Sequence, residues 1–207
     1  MSSGASVSLD PSVALVLIDL QRGIVTGPKA QPVEAIVANA ARLAVAFRAR
    51  NLPVVLVNVA GGAPGRTERG LSGGARPEGF ADLVPELDPQ PSDIRITKKR
   101  WGAFSEPSLH PTLQALGVTQ IVLGGIATSI GVESTARVAY ELGYNVTLVT
   151  DAMTDFSAEA HENSLERVFP RLGERATTDE VVAALAAAPG DEVGPTNGPR
   201  PDPNAVP

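Results

Sequence analysis

The stretch QIVLGGIATSIGVESTAR, residues 120–137, decides the fold of this chain. Its first part, QIVLGGI (120–126), is a short apolar run that predicts a buried strand. A turn follows, and GVESTARVAYELGY (131–144) has the pattern of a helix, with Glu133 and Arg137 one helical turn apart. A buried strand that passes through a turn into a helix is one unit of a parallel sheet covered by helices.

The same alternation of apolar runs and helical patterns continues on both sides of this stretch. Further strands are predicted at 13–20, 53–59, 93–98, 145–152 and 175–178, and further helices at 32–51, 107–117, 157–169 and 179–188. This rhythm predicts an α/β fold with a parallel sheet between two layers of helices. In such folds ligands bind beyond the carboxyl ends of the strands, where the strand order reverses. The candidate functional residues are therefore those that end the strands.

Length and composition set the domain organisation and exclude several kinds of site and partner. We expect one domain (1–188) and a Pro- and Gly-rich tail (189–207) that is mobile or lies over a partner subunit. The chain has no cysteine, which excludes disulfides, a thiolate nucleophile and zinc–sulfur sites. The net charge of −6 argues against binding to nucleic acid or to an anionic membrane surface. Without a run of about 18 apolar residues or a signal peptide, the sequence favours a cytoplasmic protein.

Charged residues end two of the predicted strands. Asp19 follows an apolar run, where a carboxylate is costly to bury unless it is paired or used, although aspartate is also a common cap. Lys98 ends the strand at 93–98 and belongs either to a ligand site or, with Lys99 and Arg100, to a solvated run of charge. For Lys99 the solvated position is the preferred interpretation.

The turn after residues 120–126 can present backbone N–H groups. Such groups at the start of a helix make an anion or oxyanion site. Gly124 and Gly125 would allow close approach of backbone or substrate. The alternative is a plain strand-to-helix turn in which Thr128 or Ser129 caps the helix.

Other polar residues give weaker indications. His110 and His161, the only histidines, lie far apart in helical segments without metal-ligand spacing, so we expect packing or surface roles and no metal site. Arg66 lies in the Gly- and Pro-rich segment 60–92, which predicts a functional or mobile loop. Its guanidinium could meet an anionic substrate or remain a solvated loop charge.

Three blocks of the sequence resemble the isochorismatase-like hydrolase family, also called the cysteine hydrolase superfamily. The blocks are ALVLIDLQRG (14–23), ITKKRWGAF (96–104) and IVLGGIATSIGVESTARVAYELGYNVTLVTDAMTD (121–155). The resemblance covers most of residues 10–188. It implies a three-layer α/β/α sandwich with a six-stranded parallel sheet of order 3-2-1-4-5-6, and assembly into a homodimer or homotetramer.

The resemblance also implies an active site. Asp19 and Lys98 would be catalytic, the peptide bond between Ile126 and Ala127 would be cis, and the N–H groups of Ala127 and Gly131 would form an oxyanion hole. The sequence departs from the family at Gly131, where most members have the nucleophilic cysteine. Isochorismatases proper share this glycine and hydrolyse a vinyl ether without a covalent intermediate.

We therefore expect a hydrolase of a small metabolite that needs no cofactor and no metal. The residues expected to contact its substrate are Trp101, Phe104, Arg66 and Thr128. Core packing is the alternative role for the two aromatic residues. Isochorismate is the specific substrate that the resemblance suggests.

Several alternatives stay open at this point. Burial would raise the pKa of Asp19 and favour a general acid, whereas the Lys98 ammonium would lower it and favour a base that activates water. The chain could also be a non-catalytic binding protein or an amide hydrolase that uses activated water. A serine hydrolase based on Ser129 or Ser134 lacks a histidine base in the motif. Turnover that disappears in Asp19→Asn would separate an enzyme from a binding protein.

Overall fold

A six-stranded parallel sheet forms the centre of the protein in the computed structural model, which describes residues 7–68 and 76–188. The strands are β1 (Val13–Ile18), β2 (Val54–Val59), β3 (Ile94–Lys98), β4 (Gln120–Ile126), β5 (Asn145–Thr154) and β6 (Glu174–Ala176). Their order across the sheet is β3-β2-β1-β4-β5-β6, and every neighbouring pair is parallel. The predicted fold class and strand order are confirmed. The predicted tail, 189–207, lies outside the described residues.

Helices cover both faces of the sheet. They are α1 (Arg22–Val25), α2 (Val33–Ala49), α3 (Leu109–Ala115), α4 (Glu133–Glu141), α5 (Ala158–Asn163) and α6 (Thr178–Ala187). One apolar core lies between the sheet and helices α2 and α6, and a second lies between the sheet and helices α3 and α4. Within the two described ranges, no helix has the length and apolar character needed to cross a membrane.

Strand β1 contributes to both cores because successive side chains of a strand point to opposite faces. Val13, Leu15 and Leu17 belong to the core under α2, whereas Val16 and Ile18 belong to the core under α4. All of them are buried, and burial of each such side chain contributes about 1.5–3 kcal/mol. The unbroken apolar run in the sequence therefore reflects a strand that is covered on both sides.

The observed helices differ from the predicted ones in three places. The short helix α1 has no counterpart among the predictions. The helix predicted at 131–144 begins as a π-helical turn, Thr128–Val132, that leads into α4. The helix predicted at 157–169 is divided into α5, a second π-helical turn (Ser164–Val168) and a 3-10 turn (Phe169–Arg171). A π-helical turn departs from the 3.6-residue period on which the predictions rest.

The strand order places an opening at the carboxyl ends of β1 and β4. From β1 the chain adds β2 and β3 on one side, and it then returns to add β4, β5 and β6 on the other. The connections diverge between β1 and β4, which is where ligands bind in open α/β sheets. Asp19 directly follows β1 and Ala127 directly follows β4, so both residues lie at this opening.

Candidate active site

The chain turns sharply where β1 ends. Asp19 has a φ of 53°, in the left-handed region that few residues other than glycine adopt. Its N–H group donates to the Val57 carbonyl on β2 at 2.8 Å, while its own carbonyl accepts from the Gln21 N–H group at 2.9 Å. The backbone therefore leaves the sheet at Asp19. Strained backbone of this kind is concentrated at functional sites.

Lys98, the last residue of β3, reaches Asp19 across β2. Its ammonium nitrogen, Nζ, lies 2.6 Å from Oδ2 of Asp19 and 3.2 Å from the carbonyl oxygen of Arg100. The pair is buried, with 1% of the Lys98 side chain and 8% of the Asp19 side chain exposed. Oδ1 of Asp19 is also buried and has no hydrogen-bond partner among the described residues. One carboxyl oxygen is thus held by the lysine, and the other is buried without a hydrogen-bond partner among the described residues.

Burial raises the pKa of the Asp19 carboxyl from 3.8 to about 6, and the charge and hydrogen bond of Lys98 oppose this rise without cancelling it. Desolvation is therefore the stronger of the two influences that the sequence left in competition. A carboxyl group with this pKa populates both its acid and its base form close to neutral pH. Groups that transfer protons in catalysis work best under that condition.

A turn brings backbone groups to the other side of the opening. The peptide bond between Ile126 and Ala127 is cis, as the family resemblance implies. The Ala127 carbonyl accepts from the N–H groups of Ile130 and Val132, at 3.1 and 3.2 Å. These two bonds close the π-helical turn that carries Gly131 into the site.

The buried side chains of His161 and Asp155 form hydrogen bonds with residues of this turn. The Thr128 hydroxyl lies 2.8 Å from Nδ1 of His161, and the Ser129 N–H group donates to Oδ2 of Asp155 at 2.6 Å. Burial lowers the pKa of His161 against the opposing charges of Asp155 and Glu162, so its ring is neutral at pH 7. His161 therefore packs within the fold, as the sequence predicts, and it also fastens the turn.

Gly131 faces the carboxyl group of Asp19. A Cβ atom at this position would lie 2.8 Å from Cγ2 of Ile18 and 3.4 Å from Oδ2 of Asp19. Any side chain here would enter the space beside the Asp19–Lys98 pair. The glycine leaves that space open to a ligand.

Asp19 and Lys98 line a cavity of about 310 Å³ at this opening. Three other predicted site residues, Trp101, Ala127 and Gly131, line it as well. Trp101 is 62% exposed and so lies at the mouth of the cavity. A hollow of this size suits a small metabolite.

The three remaining predicted substrate contacts do not line this cavity. Phe104 belongs to a 3-10 turn that directs its ring to Tyr144, with ring centroids 5.8 Å apart. Thr128 points to His161, and Arg66 is exposed on its loop. The structure therefore brings together Asp19 and Lys98 with the backbone of the turn, but not these side chains.

Several lining residues were not indicated by the sequence. They are Gly23, Ile24, Val59, Arg76, Phe80, Ile130 and Phe156. Arg76 and Phe80 come from the segment 60–92, which has no period that would place a side chain. Phe156 comes directly after Asp155, and its position beyond a strand end is the one signal that could have indicated it.

The charge of the cavity is opposite to that of the whole chain. Arg76, Lys98, Lys99 and Arg100 line it, and Asp19 is the one acidic residue among its described lining, whereas the chain has a net charge of −6. A cleft lined by one sign of charge attracts the opposite sign. Neither this cavity nor any other part of the described ranges has three or more His, Cys, Asp or Glu residues placed to hold a metal ion.

Comparison with known proteins matches residues 13–180 to the isochorismatase domain, a range that includes all six strands and the whole cavity lining. The chain is 45% identical over 174 residues to the isochorismatase family protein YwoC of Bacillus subtilis, covering 81% of this chain and 90% of YwoC. The solved structure of an isochorismatase family protein from Burkholderia thailandensis is 45% identical, with a TM-score of 0.82 over 86% of this chain and 98% of that one.

Relatives with a named activity are less similar. The "Probable isochorismatase" of Pseudomonas chlororaphis is 31% identical over 185 residues, which cover 86% of this chain and 89% of that protein. The ureidoacrylate amidohydrolase RutB of Variovorax paradoxus is 36% identical over 108 residues, which cover 52% of this chain and 43% of RutB.

The matched range and the shared architecture define the class of protein: a hydrolase with a three-layer α/β/α fold and a cavity at the strand switch point. The chain belongs to the isochorismatase family, whose members are hydrolases. The resemblance carried by the three sequence blocks is confirmed at this level.

Proposed function

We propose that this hydrolase acts on a small carboxylate-bearing metabolite through Asp19 and Lys98, without a covalent intermediate, and that it cleaves a vinyl ether of the isochorismate type. The observation that carries the proposal is the Asp19 carboxyl group, which is buried, has a pKa of about 6 and is held by Lys98 through one oxygen only. The chain has no cysteine, so a thioester route is closed to it.

In the proposed reaction, the Asp19 carboxyl group acts first as an acid. It donates a proton to the terminal vinyl carbon, and the electron pair of the double bond forms the new C–H bond. Water attacks the oxocarbenium carbon that results, and its proton returns to the Asp19 carboxylate. The hemiketal then breaks into a ketone and an alcohol, so atoms balance and Asp19 ends in its initial protonation state.

Lys98 supports both halves of this cycle. Its ammonium group fixes the orientation of the carboxyl group through Oδ2, and it leaves Oδ1 without a competing protein partner among the described residues. It also stabilises the carboxylate that remains after the proton has left. Without the lysine the acid would be more strongly protonated but less ready to release its proton.

The backbone of the turn is proposed to supply an oxyanion hole through the N–H groups of Ala127 and Gly131. Both residues line the cavity with Asp19, and Gly131 leaves the space in front of the carboxyl group free. An oxygen atom of the substrate that gains negative charge as the hemiketal breaks would be stabilised there.

The cationic lining supports an anionic substrate. Beyond Lys98, which is engaged with Asp19, the cavity is lined by Arg76, Lys99 and Arg100. A substrate with one or two carboxylates would find counter-charges there, whereas a cation would be repelled. The similarity to the "Probable isochorismatase" of Pseudomonas chlororaphis agrees with this choice.

Amide hydrolysis by an activated water is the second candidate, and the pKa of the Asp19 carboxyl group, about 6, favours it. With a pKa of about 6, most Asp19 carboxyl groups are ionised at pH 7, and an ionised carboxylate can accept a proton from water. The partial similarity to a ureidoacrylate amidohydrolase makes small ureides and amides the substrates to examine.

Incubation of the purified protein with isochorismate and with a panel of small amides and ureides tests these proposals. We expect turnover of isochorismate that disappears in Asp19→Asn. Asp93→Asn is the matched control, because Asp93 is also buried and paired with a cation, Arg48 at 2.7 Å, but lies at the opposite end of β3 from Lys98. Turnover of amides alone would select the second candidate, and binding without turnover would indicate a non-catalytic protein.

Assembly into a homodimer or homotetramer also stays a proposal. Large apolar side chains are exposed on α4 and at the cavity mouth, among them Val138, Trp101 and Phe156. Apolar surface of this kind is a common basis of subunit contacts. Sedimentation velocity of the full chain measures the assembly directly, and a monomer at micromolar concentration would contradict the proposal.

A further inference from the structure

We propose that Phe80 is a specificity-determining residue: seated on Gly23 and fixed by Gln21, it holds the Arg76 guanidinium over the cavity, where that group binds a carboxylate of the substrate. The inference rests on the proposed function only in taking this cavity as the place where the substrate binds. It concerns a wall of the cavity that comes from α1 and from the segment after residue 75.

Gln21 is the anchor of this wall. Its side chain is fully buried, and its amide accepts from the Val59 N–H group at 2.7 Å while it donates to the Val59 and Phe80 carbonyls, each at 2.9 Å. The backbone of β1 has already turned away at Asp19, so the side-chain amide takes the place of a peptide group beside β2. The Phe80 backbone is thereby tied to the rigid edge of the sheet.

Gly23 is the seat of the Phe80 ring. Its N–H group donates to the Phe80 carbonyl at 3.0 Å, and a Cβ atom at this position would lie 2.0 Å from Cδ2 and 2.4 Å from Cε2 of that ring. The ring therefore lies directly on the glycine backbone. Any larger residue at position 23 must displace it.

Arg76 lies on the ring. Its guanidinium carbon is 4.8 Å from the centroid of the Phe80 ring, a distance at which the face of an aromatic ring attracts and orients a cation. The Phe80 N–H group donates to the Pro77 carbonyl at 3.1 Å, and this tight turn brings Arg76 back over the ring. Arg76, Phe80 and Gly23 all line the cavity that contains Asp19.

This arrangement assigns different tasks to two of the cationic residues that line the cavity, Lys98 and Arg76. Lys98 is hydrogen-bonded to Asp19 and serves the acid. The Arg76 guanidinium, which lies over the Phe80 ring, has the planar fork of donors that suits a carboxylate. A carboxylate bound by Arg76 would place the remainder of a small substrate between the aromatic wall and the acid. The identity of residue 23, which has no side chain, would then control where the charged end of the substrate binds.

The experiment compares binding of benzoate with that of benzamide, which has the same shape and no charge. Fluorescence of Trp101, the only tryptophan of the chain and a residue of the cavity mouth, reports binding of either probe. We expect the wild-type protein to prefer benzoate, Arg76→Gln to weaken benzoate about tenfold without affecting benzamide, and Phe80→Leu to weaken benzoate by about threefold or more. Arg171→Gln, an exposed arginine beyond the amino end of β6, is the matched control and should change neither.

A double-mutant cycle tests the contact between the Phe80 ring and Gly23. Gly23→Ala should weaken benzoate binding, and it should weaken it no further once Phe80→Leu has removed the ring that it displaces. Losses that multiply in the double variant would overturn the proposal, as would a wild-type protein that binds both probes equally or an Arg76→Gln variant that keeps its preference. If Gly23→Ala does not fold, Arg76→Gln and Phe80→Leu decide alone, because Arg76 is exposed and Phe80 half-buried. Binding is measured without turnover, so failure of the hydrolysis assay leaves this test unaffected.

Discussion

The Nζ atom of Lys98 lies 2.6 Å from Oδ2 of Asp19, although 79 positions separate the two residues and β2 lies between their strands. The sheet register pairs Ile18 with Val57 and Val59 with Lys98, so both side chains leave the same edge of the sheet. The pairing of the strands therefore brings Asp19 and Lys98 together, and no local sequence motif does so. Because the pair is buried, its acid responds to desolvation more strongly than to the neighbouring charge.

Gly125→Ala should be among the most damaging single changes in the protein. Gly125 has a φ of 124°, and a Cβ atom there would lie 2.1 Å from the Ile18 carbonyl oxygen on β1. We expect a loss of about 3 kcal/mol or more in the free energy of unfolding, or no folded protein. Gly117→Ala is the control, since Gly117 also has a positive φ, 67°, but open space around it, and should lose about 1–2 kcal/mol. Equal losses in urea denaturation would mean that β1 and β4 are less closely apposed.

Thr128→Val should destabilise the protein more than Tyr144→Phe does. Both changes remove a hydroxyl group that lies 2.8 Å from Nδ1 of a histidine, His161 and His110 respectively. Thr128 and His161 are both buried, so the ring would lose its partner without water to replace it, at a cost of about 1–3 kcal/mol. His110 is half-buried and can turn to water. Thermal or urea unfolding of the two variants measures the difference, and a larger loss for Tyr144→Phe would contradict it.

Gly131→Cys should give a reactive thiol. The new Cβ atom would lie 3.4 Å from Oδ2 of Asp19, and Ile18 must yield to it, which costs about 1–3 kcal/mol of stability. We expect labelling by iodoacetamide at neutral pH, because the thiol lies in a helix-initiating turn beside the Lys98 ammonium, which favours the thiolate. Adding Lys98→Met should slow this labelling but should not slow labelling of Ala115→Cys, an exposed control at the end of α3. A folded Gly131→Cys variant with an inert thiol would show that the turn has another shape.

Burial of the Asp19 carboxyl group should destabilise the folded protein by an amount that depends on pH. Folding raises the pKa of its carboxyl group from 3.8 to about 6, so the folded state binds a proton more tightly than the unfolded state does. The resulting penalty is absent below pH 3.8, grows as the pH rises to about 6, and then stays at about 3 kcal/mol. The free energy of unfolding of the wild type minus that of Asp19→Asn should fall by this amount across that window. A difference that stays constant with pH, measured by urea denaturation, would contradict the raised pKa.

The fold could be predicted from the sequence because its strands are covered on both faces. The apolar runs that became β1 and β4 have no polar alternation, and helical patterns separate them from their neighbours. The order of the strands came from the family resemblance, and the structure confirms it. The boundaries of α4 and α5 were predicted less well, since each adjoins a π-helical turn outside the regular period.

The site was predictable only where its residues belong to strand ends. Asp19 and Lys98 end strands and stand within motifs, so the sequence could indicate them. Phe80 and Arg76 are placed by tertiary hydrogen bonds of Gln21 and by the absence of a side chain at Gly23, which no local pattern reveals. Conversely, Phe104 belongs to the motif at 96–104, but the 3-10 turn that contains it directs its ring to Tyr144 and not to the cavity.

Direct titration of the Asp19 carboxyl group by NMR of its side-chain carbon tests the central claim, that a buried acid is poised for proton transfer at this cavity. The signal is assigned by its absence from the spectrum of Asp19→Asn. We expect it to titrate at a pH of about 6 in the wild type and at a higher pH in Lys98→Met, because the ammonium that opposes the rise is then removed. A signal that titrates at the ordinary value of 3.8 in both proteins would contradict the account.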